Sequence, residues 1–224
     1  MKAILFDMDG TLMNSMGMWY GLGNAYLEEL GVEPDVLDFN KMITMGMEEV
    51  TRYLKKYYNV SEDNISLNDF VHKKVENFYE NEVELLPGVL EKLEQLRELG
   101  IPMALGTATE EKNAARALKR TGIGHYFEFI YTTSTEGVLK SDTHFYERAA
   151  DKFKVETKNL ILFDDAVDAV DAARKSGCLA VGVEDVHYNQ DIKALKENSD
   201  IFLHGLLELN VEKFKKYLLE EAEI

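Results

Sequence analysis

Short apolar runs alternate with helical stretches from about residue 85 onward, and this alternation most constrains how the chain can fold. The runs are uninterrupted, as in strands that are buried on both faces of a sheet. Between them, apolar residues recur at helical spacing, as Val89, Leu93 and Leu96 do before Gly100. We therefore predict an α/β fold, a Rossmann-like parallel sheet with helices on both faces. The predicted strands are 3–6, 102–105, 129–131, 160–163, 179–183 and 201–203.

The segment from about residue 15 to residue 83 has a different pattern. It contains no strand-like run, and its apolar residues keep helical spacing, as Trp19, Leu22 and Tyr26 do. The strand at 3–6 precedes this segment and must still pair within the later sheet. We therefore predict a discontinuous core domain, 1–14 with 84–224, interrupted by a four-helix cap at 15–83.

Composition excludes several classes of partner. The chain has 224 residues, and 25 Lys and Arg stand against 41 Asp and Glu, so its net charge is −16. Such a surface repels phosphate backbones and anionic lipids, so we expect no nucleic-acid and no membrane partner. The single cysteine rules out an intrachain disulfide. The N-terminal apolar run stops at Asp7, too early for a signal peptide, and we expect a cytoplasmic protein.

Acidic and hydroxyl residues follow three of the predicted strands, where an open parallel sheet binds its ligands. Asp7 and Asp9 come after the first strand, Thr107 after the strand at 102–105, and Asp164-Asp165 after the strand at 160–163. If these strands are neighbours, four carboxylates converge on one crevice and repel one another. A divalent cation would offset this repulsion, and carboxylate oxygens suit Mg²⁺.

The spacing of the first two carboxylates suggests phosphoryl chemistry. Asp7 and Asp9 would point to the same face of an extended strand, and Gly10 permits a sharp exit of the chain. One carboxylate can attack phosphorus to form an aspartyl-phosphate. Its neighbour can protonate the leaving alcohol and later deprotonate water. Thr107 offers a hydroxyl to phosphate oxygens, and a lysine is still needed to neutralise charge.

These residues resemble the motifs of the haloacid dehalogenase superfamily. The segment Phe6-Asp7-Met8-Asp9-Gly10-Thr11-Leu12 is similar to the first motif, and Thr107 after an apolar strand is similar to the second. Lys140 and the pair Asp164-Asp165 resemble the third and fourth motifs, in the family's order. The likeness covers nearly the whole chain. The helical insert resembles the C1-cap subclass, which includes phosphoglycolate-type phosphatases, sugar phosphatases, β-phosphoglucomutase and 2-haloacid dehalogenases.

The resemblance implies how the carboxylates divide the chemistry. Asp7 is the nucleophile, and its carboxylate also binds Mg²⁺. Asp9 is the general acid and base, and its main-chain carbonyl is a metal ligand. Asp165 binds Mg²⁺, and Asp164 binds it directly or through water.

The resemblance also implies a phosphate-binding cradle. Thr107 and Lys140 hold the phosphoryl oxygens, and the backbone N–H groups of Met8, Asp9 and Ala108 complete the cradle. These roles favour a Mg²⁺-dependent phosphatase that hydrolyses a small phosphomonoester through an aspartyl-phosphate. The partner is then a small phosphorylated metabolite, and we expect a monomer or a weak homodimer.

Three other functions compete with the phosphatase. A β-phosphoglucomutase-like enzyme has a cap Arg three residues after a Gly, whereas here Glu49 stands three residues after Gly46, and Arg52 would have to substitute. Dehalogenases lack the second acidic residue of the first motif, so Asp9 argues against that activity. A scaffold protein that had lost catalysis would lack a motif residue, and all are present.

Methionines are frequent in the first half of the predicted cap. Methionine is flexible and adapts to irregular partners, so these residues either pack the cap's own core or line a substrate cleft. In the second interpretation, Met16, Trp19, Met45 and Met47 line the cleft and favour a substrate with an apolar part. The sequence does not identify that substrate.

Overall fold

The computed structural model describes residues 2–32, 47–58, 67–185 and 191–219. The chain divides into two units, Met1–Ser15 with Val83–Ile224, and Met16–Glu82. The predicted core and cap boundaries differ from these by one residue at each junction.

The larger unit is built on six parallel strands, which are β1 Ala3–Phe6, β2 Met103–Thr107, β3 Ile130–Thr132, β4 Leu160–Asp164, β5 Leu179–Val183 and β6 Ile201–Leu203. Their order in the sheet is β3-β2-β1-β4-β5-β6. The N-terminal strand therefore lies in the middle, where Phe6 is opposite Leu105 of β2 and Phe163 of β4. This sheet confirms the predicted α/β fold.

The smaller unit is helical in its described part. Its helices are α1 Met16–Glu29, α2 Met47–Tyr57 and α3 Leu67–Asn77, and the π-helical segment Phe78–Glu82 continues α3. Helices α1 and α3 contact each other, and Tyr26 of α1 packs its ring 5.3 Å from that of Phe70 in α3. The predicted fourth helix stays a prediction, because 33–46 and 59–66 lie outside the described residues.

The larger unit surrounds its sheet with helices. Its helices are α4 Val89–Glu98, α5 Glu111–Thr121, α6 Thr133–Glu136, α7 Thr143–Phe153, α8 Val167–Lys175, α9 Ile192–Asn198 and α10 Val211–Leu219. Helix α5 contacts β3, α7 contacts β1, and α8 contacts β4 and β5. Across the described part of the chain, every helix is too short or too polar to cross a membrane.

Two strands run further than the sequence predicted, and this places site residues inside the sheet. Strand β2 ends at Thr107 and β4 ends at Asp164, so both residues are the last of their strands. At the neighbouring Gly106, an added Cβ would lie 2.7 Å from the Leu5 side chain. A larger residue there would force the buried Leu5 side chain of β1 to move, so the glycine allows the close packing beside Thr107.

Candidate active site

Three adjacent strands, β2, β1 and β4, end beside one another at the carboxyl edge of the sheet. Phe6 pairs with Phe163, and the Asp7 N–H donates to the Phe163 carbonyl at 2.8 Å. Asp7 is therefore the next residue beside Asp164 across the two strands. Thr107 ends the strand on the other side of β1. The structure thus brings the predicted residues of three motifs to one edge.

Asp7, Asp164 and Asp165 form a buried carboxylate cluster. Each offers one oxygen, and these three oxygens lie within 4.8 Å of one another. Burial raises the pKa of the Asp7 carboxyl well above its ordinary value; the Lys140 ammonium opposes this rise, and the charges of Asp164 and Asp165 add to it. The Ala166 N–H donates to Asp164 Oδ1 at 3.0 Å, which fixes one of the carboxylates. Close burial of like charges is unfavourable without a compensating cation.

The chemistry of this donor set fits a divalent metal ion. All three ligand atoms are carboxylate oxygens, which suit hard cations such as Mg²⁺ and Ca²⁺. The Asp9 carboxylate is not a member of this cluster of ligand atoms. A contribution from Asp9 would have to come from its main chain, as the resemblance implies.

Lys140 brings a positive charge to the cluster from a loop far away in sequence. Its Nζ lies 2.5 Å from Asp7 Oδ1 and 2.6 Å from Asp164 Oδ2. Its loop follows α6, which Gly137 caps with a φ of 67°, and precedes α7, which Asp142 caps. Burial by itself would lower the pKa of Lys140, but the carboxylates of Asp164 and Asp7 hold that pKa well above its usual value. The side chain therefore stays a cation.

Asp9 lies in the loop after β1, and both of its carboxylate oxygens accept hydrogen bonds. The Ser15 hydroxyl donates to Oδ1 at 2.6 Å, and the Thr109 hydroxyl donates to Oδ2 at 2.7 Å. Strand β1 ends at Phe6, so Asp9 lies beyond the strand. Gly10 has a φ of 83°, the conformation that the predicted sharp exit of the chain requires.

Sequence reasoning missed the two hydroxyl groups that donate to Asp9. Ser15 follows Asp9 by six residues, and Thr109 is separated from it by 100. The only sequence signal for Thr109 was its position two residues after Thr107, at the end of the same strand. Its N–H donates to the Thr107 hydroxyl at 3.0 Å, so the two threonines form one turn.

The other predicted phosphate-binding residues lie where β1 and β2 end: Met8 in the loop after β1, Thr107 at the end of β2, and Ala108 after it. Thr107 is buried, and Ala108 after it is exposed. Met8 is buried, and its carbonyl accepts the N–H groups of Leu12 and Met13 at 3.0 and 2.9 Å. These bonds close the loop after β1 into a rigid turn. The phosphate-binding roles themselves stay predictions.

Two of the predicted cleft residues lie in α1. Met16 and Trp19 are half-buried, and the Trp19 indole N–H donates to the Tyr79 hydroxyl at 3.0 Å within the helical unit. Trp19 therefore has a partner in its own unit. Met45 lies outside the described residues, as does the side chain of Met47 at the start of α2. The substrate cleft stays a prediction.

Comparison with known proteins gives a family match over most of the chain. Residues 4–183 match the model of the haloacid dehalogenase-like hydrolases. The chain is 29% identical over 207 residues to a phosphorylated carbohydrates phosphatase from Thermotoga maritima, covering 91% of this chain and 94% of that protein. It is 26% identical over 189 residues to a phosphoglycolate phosphatase from Neisseria meningitidis, covering 81% of this chain and 80% of that protein.

A solved structure gives the same result. It is provisionally described as a β-phosphoglucomutase from Thermotoga maritima, and it is similar to this chain with a TM-score of 0.80. The two are 28% identical, and the match covers 95% of this chain and 99% of the other. Together with the family match, this confirms the resemblance inferred from the motifs.

Proposed function

Because the chain belongs to the haloacid dehalogenase-like hydrolase family, we propose that it is a Mg²⁺-dependent phosphatase acting through an aspartyl-phosphate. The family match and the relatives named as phosphatases confirm the more general prediction of a phosphoric monoester hydrolase. One observation carries the specific proposal. The Lys140 ammonium lies within 2.6 Å of both Asp7 and Asp164, at the edge of a buried carboxylate cluster.

The carboxylates of Asp7, Asp164 and Asp165 are the residues that would hold Mg²⁺. They carry up to three negative charges, whereas Lys140 supplies one positive charge in contact with Asp7 and Asp164. Mg²⁺ in such a site polarises a phosphoryl oxygen and offsets its negative charge. The same three carboxylates without a cation would repel a phosphate dianion.

In the first half of the reaction, an Asp7 oxygen attacks the phosphorus of the substrate. The bond from phosphorus to the substrate oxygen breaks, and that oxygen takes a proton from Asp9. The products are the free alcohol and a phosphoryl group bonded to Asp7. Lys140 and Thr107 hold the phosphoryl oxygens in line for this attack.

In the second half, Asp9 removes a proton from water, and the resulting hydroxide attacks the same phosphorus. The bond from phosphorus to the Asp7 oxygen breaks, so inorganic phosphate leaves and Asp7 returns to its carboxylate form. The hydroxyls of Ser15 and Thr109 can donate to an ionised Asp9 and accept from a protonated one. They can therefore orient Asp9 in both of its protonation states.

Phosphate release across a panel of phosphomonoesters tests this proposal. The panel contains sugar phosphates, phosphoglycolate, nucleotides and p-nitrophenyl phosphate, each with Mg²⁺ or with EDTA. Release should require Mg²⁺ and should be lost in Asp7→Asn. Asp168→Asn makes the same chemical change at an exposed position of α8 and should remain active. Release that survives Asp7→Asn, or that EDTA does not reduce, would contradict the mechanism.

Mutase activity is the second candidate, and the structural likeness to a described β-phosphoglucomutase favours it. Glu49 and Arg52 are both exposed on α2, so a cation and a competing anion share that helix. Incubation with β-glucose 1-phosphate and a bisphosphate primer separates the two functions. Formation of glucose 6-phosphate without free phosphate would identify a mutase. A small cytoplasmic metabolite as substrate, and a monomer or weak homodimer, stay predictions.

A further inference from the structure

A buried tyrosine joins the loop of Lys140 to the helix that follows the acidic pair. Tyr146 lies in α7 and is fully buried. Its hydroxyl lies 2.8 Å from the main-chain oxygen of Lys140 and 2.9 Å from the main-chain oxygen of Ala169. A hydroxyl has one proton to donate, so the two carbonyls share it. The acceptors belong to different segments, the loop before α7 and the first turn of α8.

This contact spans the two segments whose relative position sets the geometry of the site. Helix α8 follows directly after Asp164 and Asp165, and the loop carries Lys140. The Lys140 ammonium must reach Asp164 and Asp7 together, at 2.6 and 2.5 Å. A lysine side chain is long and flexible, so its main chain has to be fixed for both contacts to persist.

Both neighbours of Lys140 in the loop are exposed. Leu139 is 68% exposed, and Ser141 on the other side is also exposed. Val138 packs against the core, two residues before the lysine. The ring of Tyr146 is itself held rigidly, because it is buried and lies edge-on to Phe145 with 5.4 Å between the ring centroids. The hydroxyl is thus a fixed point to which the lysine carbonyl is tied.

We propose that Tyr146 is a positioning residue for the phosphoryl-transfer reaction, which holds the Lys140 main chain where its ammonium reaches Asp7 and Asp164. This inference rests on the proposed function, in which Lys140 binds the phosphoryl group. Burial also raises the pKa of the Tyr146 hydroxyl well above its ordinary value, so it remains a donor throughout the neutral range. Loss of the hydroxyl leaves the Lys140 carbonyl without this buried donor and releases the loop.

The variant Tyr146→Phe removes the hydroxyl and keeps the ring. Tyr131→Phe is its matched control, because Tyr131 is fully buried in the same core cluster. Among the described residues, the Tyr131 hydroxyl has no hydrogen-bond partner. We expect Tyr146→Phe to lower kcat/KM and to weaken the binding of inorganic phosphate in Mg²⁺, each by about tenfold, the effect of one hydrogen bond. Tyr131→Phe should match the wild type in both measurements.

Two further measurements separate positioning from general loosening of the core. Binding of Mg²⁺ alone, measured by calorimetry, should be unchanged in Tyr146→Phe, because the carboxylate cluster is intact. In a Lys140→Met background, Tyr146→Phe should cause no further loss of phosphate affinity, since the group that it positions is gone.

The results that would overturn the inference are distinct from those that would overturn the proposed function. The inference about Tyr146 would be overturned if Tyr146→Phe kept the wild-type kcat/KM and phosphate affinity. It would also be overturned if Tyr131→Phe lost as much kcat/KM and phosphate affinity as Tyr146→Phe, or if Tyr146→Phe caused the same loss of phosphate affinity in the Lys140→Met background. A wild-type protein that releases phosphate from no compound contradicts the proposed function. Because binding of inorganic phosphate needs no turnover, the phosphate affinity of Tyr146→Phe would still test the positioning role of Tyr146 in that case. A wild type that also binds no phosphate contradicts both.

Discussion

Replacing Thr109 by valine should slow turnover by loosening one side of the Asp9 carboxyl group. Valine has nearly the shape of threonine, so the change removes the hydroxyl and little else. In the proposed reaction, Asp9 gives a proton to the leaving oxygen and then takes one from water. Both transfers need the carboxyl group in a fixed orientation, because proton transfer depends on distance and alignment.

The size of the effect follows from the geometry. The Thr109 hydroxyl lies 2.7 Å from Asp9 Oδ2, an ordinary distance for a hydroxyl that donates to an oxygen. Hydrogen bonds to charged groups contribute about 1.5–3 kcal/mol. About 1.4 kcal/mol corresponds to a factor of ten in rate. Because Ser15 still holds the other oxygen at 2.6 Å, we expect the lower end of this range, a kcat reduced by about tenfold.

The matched control is Thr121→Val in α5. The Thr121 hydroxyl donates to the Ala117 carbonyl at 2.7 Å, the same distance as in the Thr109 contact. Both variants should lose some free energy of unfolding in urea titrations. Steady-state assays at saturating substrate should show a lower kcat for Thr109→Val alone. A wild-type kcat in Thr109→Val, or an equal loss in Thr121→Val, would refute the assigned role of the Thr109 hydroxyl.

Three more predictions concern stability and reactivity. Mg²⁺ at about 100 times its Kd should stabilise the protein by about 2.7 kcal/mol, which raises Tm by about 5–10 °C in thermal melts. Asp165→Asn should abolish most of this shift in Tm. An unchanged shift would exclude Asp165 as a ligand of the metal ion. In EDTA, the raised pKa of Asp7 means that the folded protein holds this proton more tightly than the unfolded chain. The contribution of this proton to the free energy of unfolding is complete below about pH 3.9 and is lost as the pH rises through the pKa of Asp7 in the folded protein. In urea titrations, the free energy of unfolding of Asp7→Asn should therefore depend less on pH than that of the wild type. Burial raises the pKa of the Cys178 thiol to about 11, so a disulfide reagent at neutral pH should react only after unfolding. Rapid reaction of the native protein would contradict this.

The sequence by itself determined the class of the fold and predicted the main site residues. Uninterrupted apolar runs specify buried strands, and helical spacing between them specifies crossover helices, because both patterns are local. Parallel strands end at a common edge, so Asp7, Thr107 and Asp164 could be assigned to one site before their contacts were known. The assignment was conditional on the strands being neighbours, and the order β2-β1-β4 meets that condition.

Only the tertiary structure decided which side chains hold the site residues. Lys140 meets Asp7 across 133 residues of sequence, and Thr109 meets Asp9 across 100. Trp19 donates to Tyr79 within the helical unit, where the sequence alone left a cleft and a cap core as alternatives. The Tyr146 hydroxyl meets two carbonyls of different segments. A residue pattern encodes periodicity along one element, whereas these hydrogen bonds depend on how separate elements pack, and packing has no local signature in the chain.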